Sequence, residues 1–291
     1  MTKQEGGFYL GYRIHNLHFL VWAAMFDGQY FTAIKHARYI EERLSEEIVK
    51  TMPQFLEGYC HTKLMVMTRF GRWDDILKEP IPHNKKLWAC TTAATYYARA
   101  VAFAAKGMVD EAIAERAKFY ETVRMPEIEG RILHNNKMWD DSSQNQCGIL
   151  NVAQQVMEGE IFYRQGKYEE AFESLRKAVK LEENLKYDEP WGWMQPSRHA
   201  LGALLNEQGR YKEAKKVFEE DLKKWPANLW GMKGLWQSCK GLGERDQMLK
   251  CEEDLKILTK RMDVPLEAAC LCATGIRDQE DEKKVSCCND E

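Results

Sequence analysis

Three of the seven histidines in this 291-residue chain, His15, His18 and His61, are the residues that most readily suggest chemistry. His15 and His18 are spaced so that, on a helix, both imidazoles leave one face a turn apart. Two such rings can share an ion, and His61 would supply a third nitrogen for zinc or a related metal. A metal site of that kind wants a carboxylate behind each imidazole, and none stands close in sequence to His15 or His18. The same rings suit a second role, orienting a polar peptide or a small anion by hydrogen bonding. They also suit a purely structural role at half-buried positions. His15, His18 and His61 are therefore the candidate metal ligands, and no cofactor is expected.

A second candidate region is "YDEPWGWMQPSRHALGALL", Tyr187 to Leu205. Pro190 and Pro196 stiffen an extended approach to a helix, and Pro196 sits near the helix start, where its missing N–H costs least. Trp191, Trp193 and Arg198 then belong to a loop at the border of a site, and Trp and Arg dominate binding hot spots. The alternative is that both indoles fill a gap between helices. Recognised catalytic signatures are missing: there is no G-x-S-x-G, no P-loop and no H-E-x-x-H. Cys270-Leu-Cys272 offers two metal ligands without a second pair. Cys287-Cys288 is followed by Asn-Asp-Glu, where a prenylation box wants aliphatic residues.

The elements that would position these residues are helices. Apolar residues recur at helical spacing, as in "LHFLVWAAM" and "HALGALL", and no sustained period-2 alternation marks a strand. A punctuation recurs at Gly28-Gln-Tyr30, Gly71-Arg-Trp73, Gly107-Met-Val109, Gly166-Lys-Tyr168, Gly209-Arg-Tyr211 and Gly243-Glu-Arg245. Glycine permits a tight left-handed turn at a helix end, and the residue two later starts the next helix. Small residues, five after the glycine or seven before it, let the two helices approach. One such hairpin cannot bury its apolar face, so the hairpins must stack.

This pattern resembles the tetratricopeptide repeat, whose unit runs to about 34 residues. Gly209 and Gly243 are 34 apart, and "LLNEQGRYKEAKKVFEEDLKKWPAN" follows the family closely, with Pro226 at its closing position. The units at Gly71 and Gly243 are degenerate. "YRIHNLHF", "PWGWMQPSRHALGALL" and "EEDLKKWPANLWGMKGL" further resemble the C-terminal half of a longer, functionally uncharacterised tetratricopeptide subfamily. The resemblance implies an all-α, right-handed superhelical solenoid of about six antiparallel helix pairs.

Residues 1–8 are expected as a flexible N-terminus and 9–274 as the solenoid, with insertions near 121–148 and 182–196. Residues 275–291 are expected as an acidic disordered tail. In such solenoids the first helix of each pair lines the concave face. Ten residues before the glycines stand His18, His61, Tyr97 and His199, and six or three before them stand Trp22, Tyr163 and Asn206. With His15, Trp191, Trp193 and Arg198, these make the expected binding groove.

Formal charge is −3, and Asp278 to Glu291 carries six acids against two lysines, so the rest is near neutral. That offers no electrostatic footprint for nucleic acid or an acidic membrane. No signal peptide or apolar span is visible, and the nine cysteines read mostly as buried thiols, which points to a cytoplasmic chain. The expected function is a non-enzymatic scaffold that binds a peptide or partner domain in the groove. His18 and Trp22 stand where chaperone-binding tetratricopeptide domains carry a clamp for an acidic C-terminus, which argues against that partner. Self-association through an uncapped N-terminal helix, as in a truncated chain, is a further expectation. The alternative from another class is a metal-dependent enzyme, or a fragment of one, with a histidine-lined groove.

Overall fold

A computed structural model describes residues 8–142 and 147–274. The expected N-terminal arm up to residue 7, the acidic tail and Cys287-Cys288 lie outside the described residues. Six antiparallel helix pairs follow one another. They are α1 (Phe8–Phe26) with α2 (Tyr30–Arg43), then, after the short α3 (Glu46–Val49) and α4 (Pro53–Leu56), α5 (Thr62–Arg69) with α6 (Trp73–Lys78). Next come α7 (Ala89–Ala105) with α8 (Val109–Val123), and α9 (Ile149–Arg164) with α10 (Tyr168–Glu183). The series ends with α11 (Ser197–Glu207) and α12 (Tyr211–Lys224), then α13 (Leu229–Leu242) and α14 (Arg245–Leu258).

Each pair turns on the glycine that the sequence points to. Gly28, Gly71, Gly107, Gly166, Gly209 and Gly243 all have φ between 61° and 75°, which an L side chain adopts only at a cost. The small residues act as expected where the pairs touch. A Cβ on Gly202 would lie 2.4 Å from the Phe218 ring, so α11 and α12 pack in close contact there.

The two insertions fold onto each other. The first contains a two-stranded hairpin, β1 (Ile132–Leu133) and β2 (Asn136–Lys137), which corrects the expectation of a chain without strands. Strands of two residues are too short to show alternation in sequence. Asp188, from the second insertion, accepts hydrogen bonds from the Asn135 backbone N–H at 3.1 Å and from the side-chain amides of Asn135 and Asn136. Asn136 also bonds both backbone groups of Lys186.

The ends of the array meet. Trp230 on α13 donates its indole N–H to the Met25 carbonyl of α1 at 2.9 Å, and Trp22 and Phe26 pack against Trp225. Asp263 caps the start of α2, accepting from the backbone N–H groups of Tyr30 (2.6 Å) and Phe31 (3.0 Å). The C-terminal end of α1, at Trp22, Met25 and Phe26, is thus covered by Trp225 and Trp230, while Tyr9, Tyr12, Phe19 and Leu20 of the same helix stay exposed. Among the described residues, no helix is long and apolar enough to cross a membrane.

Candidate functional site

The concave face is where the expected site residues stand, and it holds a length of this same chain. After α14 the backbone passes Asp263 and crosses the first helices of the pairs up to Thr274. Side chains from three of those helices take its carbonyls in turn. Gln237 on α13 donates to the Glu267 carbonyl at 3.1 Å, and Arg69 on α5 donates to that of Ala269 at 3.3 Å. Arg164 on α9 donates to that of Cys272 at 2.5 Å. Ala269 and Cys272 are buried, and the Leu271 side chain sits against the turn glycine Gly71.

Arg69 lies flat over the Trp230 ring at 3.7 Å, a cation–π contact that holds the guanidinium in place. Burial pushes its pKa down to about 9, opposed by Asp221, so it keeps its charge at neutral pH. These grips are absent from the expected site. A signal for two of them exists: Arg69 and Arg164 each stand two residues before a turn glycine, Gly71 and Gly166.

The histidines do not form the expected row. His15, His18 and His61 do not converge as three ligands. Among the described residues, the metal-ligating group whose atoms come within 4.8 Å of one another is Glu160, Cys270 and Cys272. His18 instead pairs with His134 from the β1–β2 turn, Nδ1 to Nε2 at 3.2 Å, and its Nε2 stands 3.2 Å from Met194 Sδ. Tyr59 closes this cluster at 3.3 Å from His134 Nδ1, and His15 meets the His134 ring edge-on. His61 falls at the N-cap of α5, because that helix is only eight residues long and starts after it.

Burial, with like charge from His134, His61 and His15, holds the His18 pKa well below the ordinary value. Burial takes His134 and His61 down to about 4. The unfolded chain protonates His61 as pH falls through about 6.5, while the folded chain keeps it neutral until about 4. Native stability from His61 is therefore complete above about pH 6.5 and is lost below it. The buried carboxyls of Glu160 and Glu182, raised by burial to about 7, act in the opposite sense. A difference measurement isolates the histidine. Urea denaturation should show H61Q losing about 2.5 kcal/mol less than wild type between pH 7 and pH 4.5. Parallel pH profiles for the two proteins would contradict this.

The other expected groove residues are spent on packing. His199 donates from Nε2 to Asp221 at 2.8 Å, with both groups buried. Burial alone would raise the Asp221 carboxyl, but His199 and Asn228 outweigh it and hold it low, while burial also lowers His199. The pair is thus a neutral imidazole on a carboxylate. Trp193 is 2% exposed against Tyr97, so it is not at a rim, and Trp191 is half-buried between Trp225 and Lys224. Both indoles fill the space that the second insertion opens.

Tyr163 belongs to the α9–α10 core, packed on Tyr168 and Phe172. Asn206 ties α11 to α13 through the Gly234 carbonyl and Ser238. Arg198 pairs with Glu183 across the α10–α11 connection. Trp22 faces the cleft between α1 and the α12–α13 turn, near Pro226 and Arg261.

Helix pairs of this size, each closed by a left-handed glycine, are matched by the family comparison. Residues 155–185 and, separately, 197–225 match the tetratricopeptide repeat. The chain carries tetratricopeptide repeats over these two stretches. The matched stretches cover most of α9–α10 and all of α11–α12. The comparison with curated proteins finds no match. Tetratricopeptide repeats generally serve as scaffolds for protein–protein interaction.

Proposed function

We propose that this tetratricopeptide-repeat protein is a scaffold whose concave face takes a peptide by its main chain, and that residues 263–274 occupy that face in cis. The observation that carries this reading is the set of grips from Gln237, Arg69 and Arg164 on the carbonyls of Glu267, Ala269 and Cys272. The segment runs irregularly to Cys270 and then forms a short 3-10 helix, Leu271–Thr274, and carbonyl recognition fixes its direction and register with little demand on its side chains. Affinity then depends on apolar side chains that replace the buried Ala269 and the partly buried Leu271. A partner peptide must displace the segment, so its apparent affinity falls by the fraction of time the groove is open.

Ala269 is wholly buried, and an arginine there has no room. In the full-length chain, A269R should therefore eject the segment and leave the groove free. A fluorescent peptide with the sequence of residues 263–274 should bind A269R at least about tenfold more tightly than wild type. Adding R69M to A269R should reverse the gain. Equal binding by wild type and A269R, with A269R still helical by circular dichroism, would overturn the reading.

A further inference from the structure

The segment brings two cysteines to the centre of the groove. Cys270 and Cys272 have Cα atoms 5.3 Å apart and are joined by a disulfide. Their sulfurs and a carboxylate oxygen of Glu160, on α9, all lie within 4.8 Å of one another. Glu160 is 1% exposed, and its Oε2 has no hydrogen-bond partner. A buried carboxylate oxygen left unpaired is costly and needs an explanation of its own. Glu160 and both cysteines line a cavity of about 30 Å³ with Tyr97, Trp193 and His199, room enough for an ion or a water. The backbone around the cysteines is fixed on both sides, at Ala269 by Arg69 and at Cys272 by Arg164.

We propose that Cys270, Cys272 and Glu160 form a binding site for a thiophilic divalent cation of the zinc class once the disulfide is reduced. The reductant is a dithiol: its two electrons break the S–S bond, its two protons pass to the cysteine sulfurs, and it leaves as a disulfide. Binding then releases the two thiol protons, and the Glu160 proton where the carboxyl carries one, to solvent as two sulfur–metal bonds form, and a carboxylate oxygen of Glu160 supplies the third ligand. Zn–S near 2.3 Å and Zn–O near 2.1 Å put tetrahedral ligand atoms about 3.5–3.8 Å apart, so on reduction the two bonded sulfurs must move apart while the Glu160 oxygen, within 4.8 Å of both, approaches by up to about 1 Å.

Two thiolates and a carboxylate carry three negative charges. A divalent ion leaves one, and the Arg164 guanidinium nearby, itself 3.8 Å from Glu207, partly offsets it. Thiolate ligands favour zinc-class ions over magnesium or calcium, which prefer oxygen. The ion would tie α9 to the segment, so the metal and the disulfide are alternative states of the same two sulfurs. The site stands on its own geometry, whether or not the groove takes partner peptides.

The test is a titration of the full-length chain with Co²⁺ under anaerobic conditions, after reduction and removal of the reductant. One equivalent should bind with a thiolate-to-cobalt charge-transfer band. Zn²⁺ should displace it and Mg²⁺ should not, and the unreduced chain should give no band. C270S/C272S should abolish the band, which separates this pair from the chain's other thiols. The isosteric E160Q should bind Co²⁺ at least about tenfold more weakly with its helicity unchanged. A reduced wild type without the band, a band that survives in C270S/C272S, or an E160Q that binds as tightly as wild type would each overturn the proposal.

Discussion

Replacing Phe218 with alanine should cost the fold about 3–5 kcal/mol, among the largest effects of any single change in the chain. Its ring, wholly buried on α12, is wedged between two helices at the places where each has a glycine. A Cβ on Gly202 of α11 would stand 2.4 Å from the ring, and one on Gly234 of α13 would stand 2.1 Å from it. The ring therefore fills the junction of three helices, and its loss leaves a cavity that neighbouring pairs cannot close.

The reverse change follows from the same geometry. Gly234→Ala gains about 1 kcal/mol of helix propensity. Overpacking costs about 1–3 kcal/mol, and the ring cannot yield because Gly202 confines it from the other side. The overpacking term wins, so G234A should be destabilised despite the better helix former. Urea denaturation of F218A, G234A and the double variant G234A/F218L checks this. The double variant should recover part of the G234A loss, because a smaller side chain relieves the clash. A G234A more stable than wild type would show that the three helices are not in the contact described.

Asp221→Ala should be of similar size, about 3–5 kcal/mol, because it leaves His199 and Asn228 buried without the acceptor they share. Asp221 Oδ2 takes the His199 Nε2–H at 2.8 Å and the Asn228 amide at 3.0 Å, and all three side chains are buried. Asn228 in turn caps α13 by accepting from the Gly231 N–H at 2.7 Å, so one carboxylate organises the entry to the last pair. Gly231 passes so close that a Cβ there would lie 2.4 Å from Oδ2. Asp221→Asn keeps the shape and lets His199 change tautomer, so it should cost less than half as much. In a chain of this size a loss near 4 kcal/mol lowers the melting temperature by about 10 °C. Melting of D221A within a degree or two of wild type would mean that the buried network carries little of the stability.

The parts of this molecule that were legible in its sequence are those set by local physics. The six turn glycines at 28, 71, 107, 166, 209 and 243 each need a left-handed backbone, and each has one. The pairing of helices follows from them. What fills the groove was not legible, because residues 262–274 have no periodicity and reach their partners only through the closure of the whole array. The histidine register went astray for a similar reason. Counting back from Gly71 along a full-length helix puts His61 on the groove face, but α5 is short and leaves His61 at its cap. His134, the partner of His18, comes from an insertion 116 residues away. Trp193 stands in a loop, where exposure is the usual expectation, yet the second insertion folds inward and buries it.

The central claim is that residues 263–274 lie in the concave face as a peptide would, held by Arg69, Arg164 and Gln237. Hydrogen exchange on the full-length chain, read by mass spectrometry, tests it most directly. Ala268, Ala269 and Cys272 are buried, so residues 267–272 of the wild type should exchange more slowly than an unstructured peptide. R69M/Q237A, which frees the segment, should speed exchange there at least about tenfold, with α7–α8 and α9–α10 unchanged. Exchange of 267–272 in wild type at the rate of an unstructured peptide would contradict it.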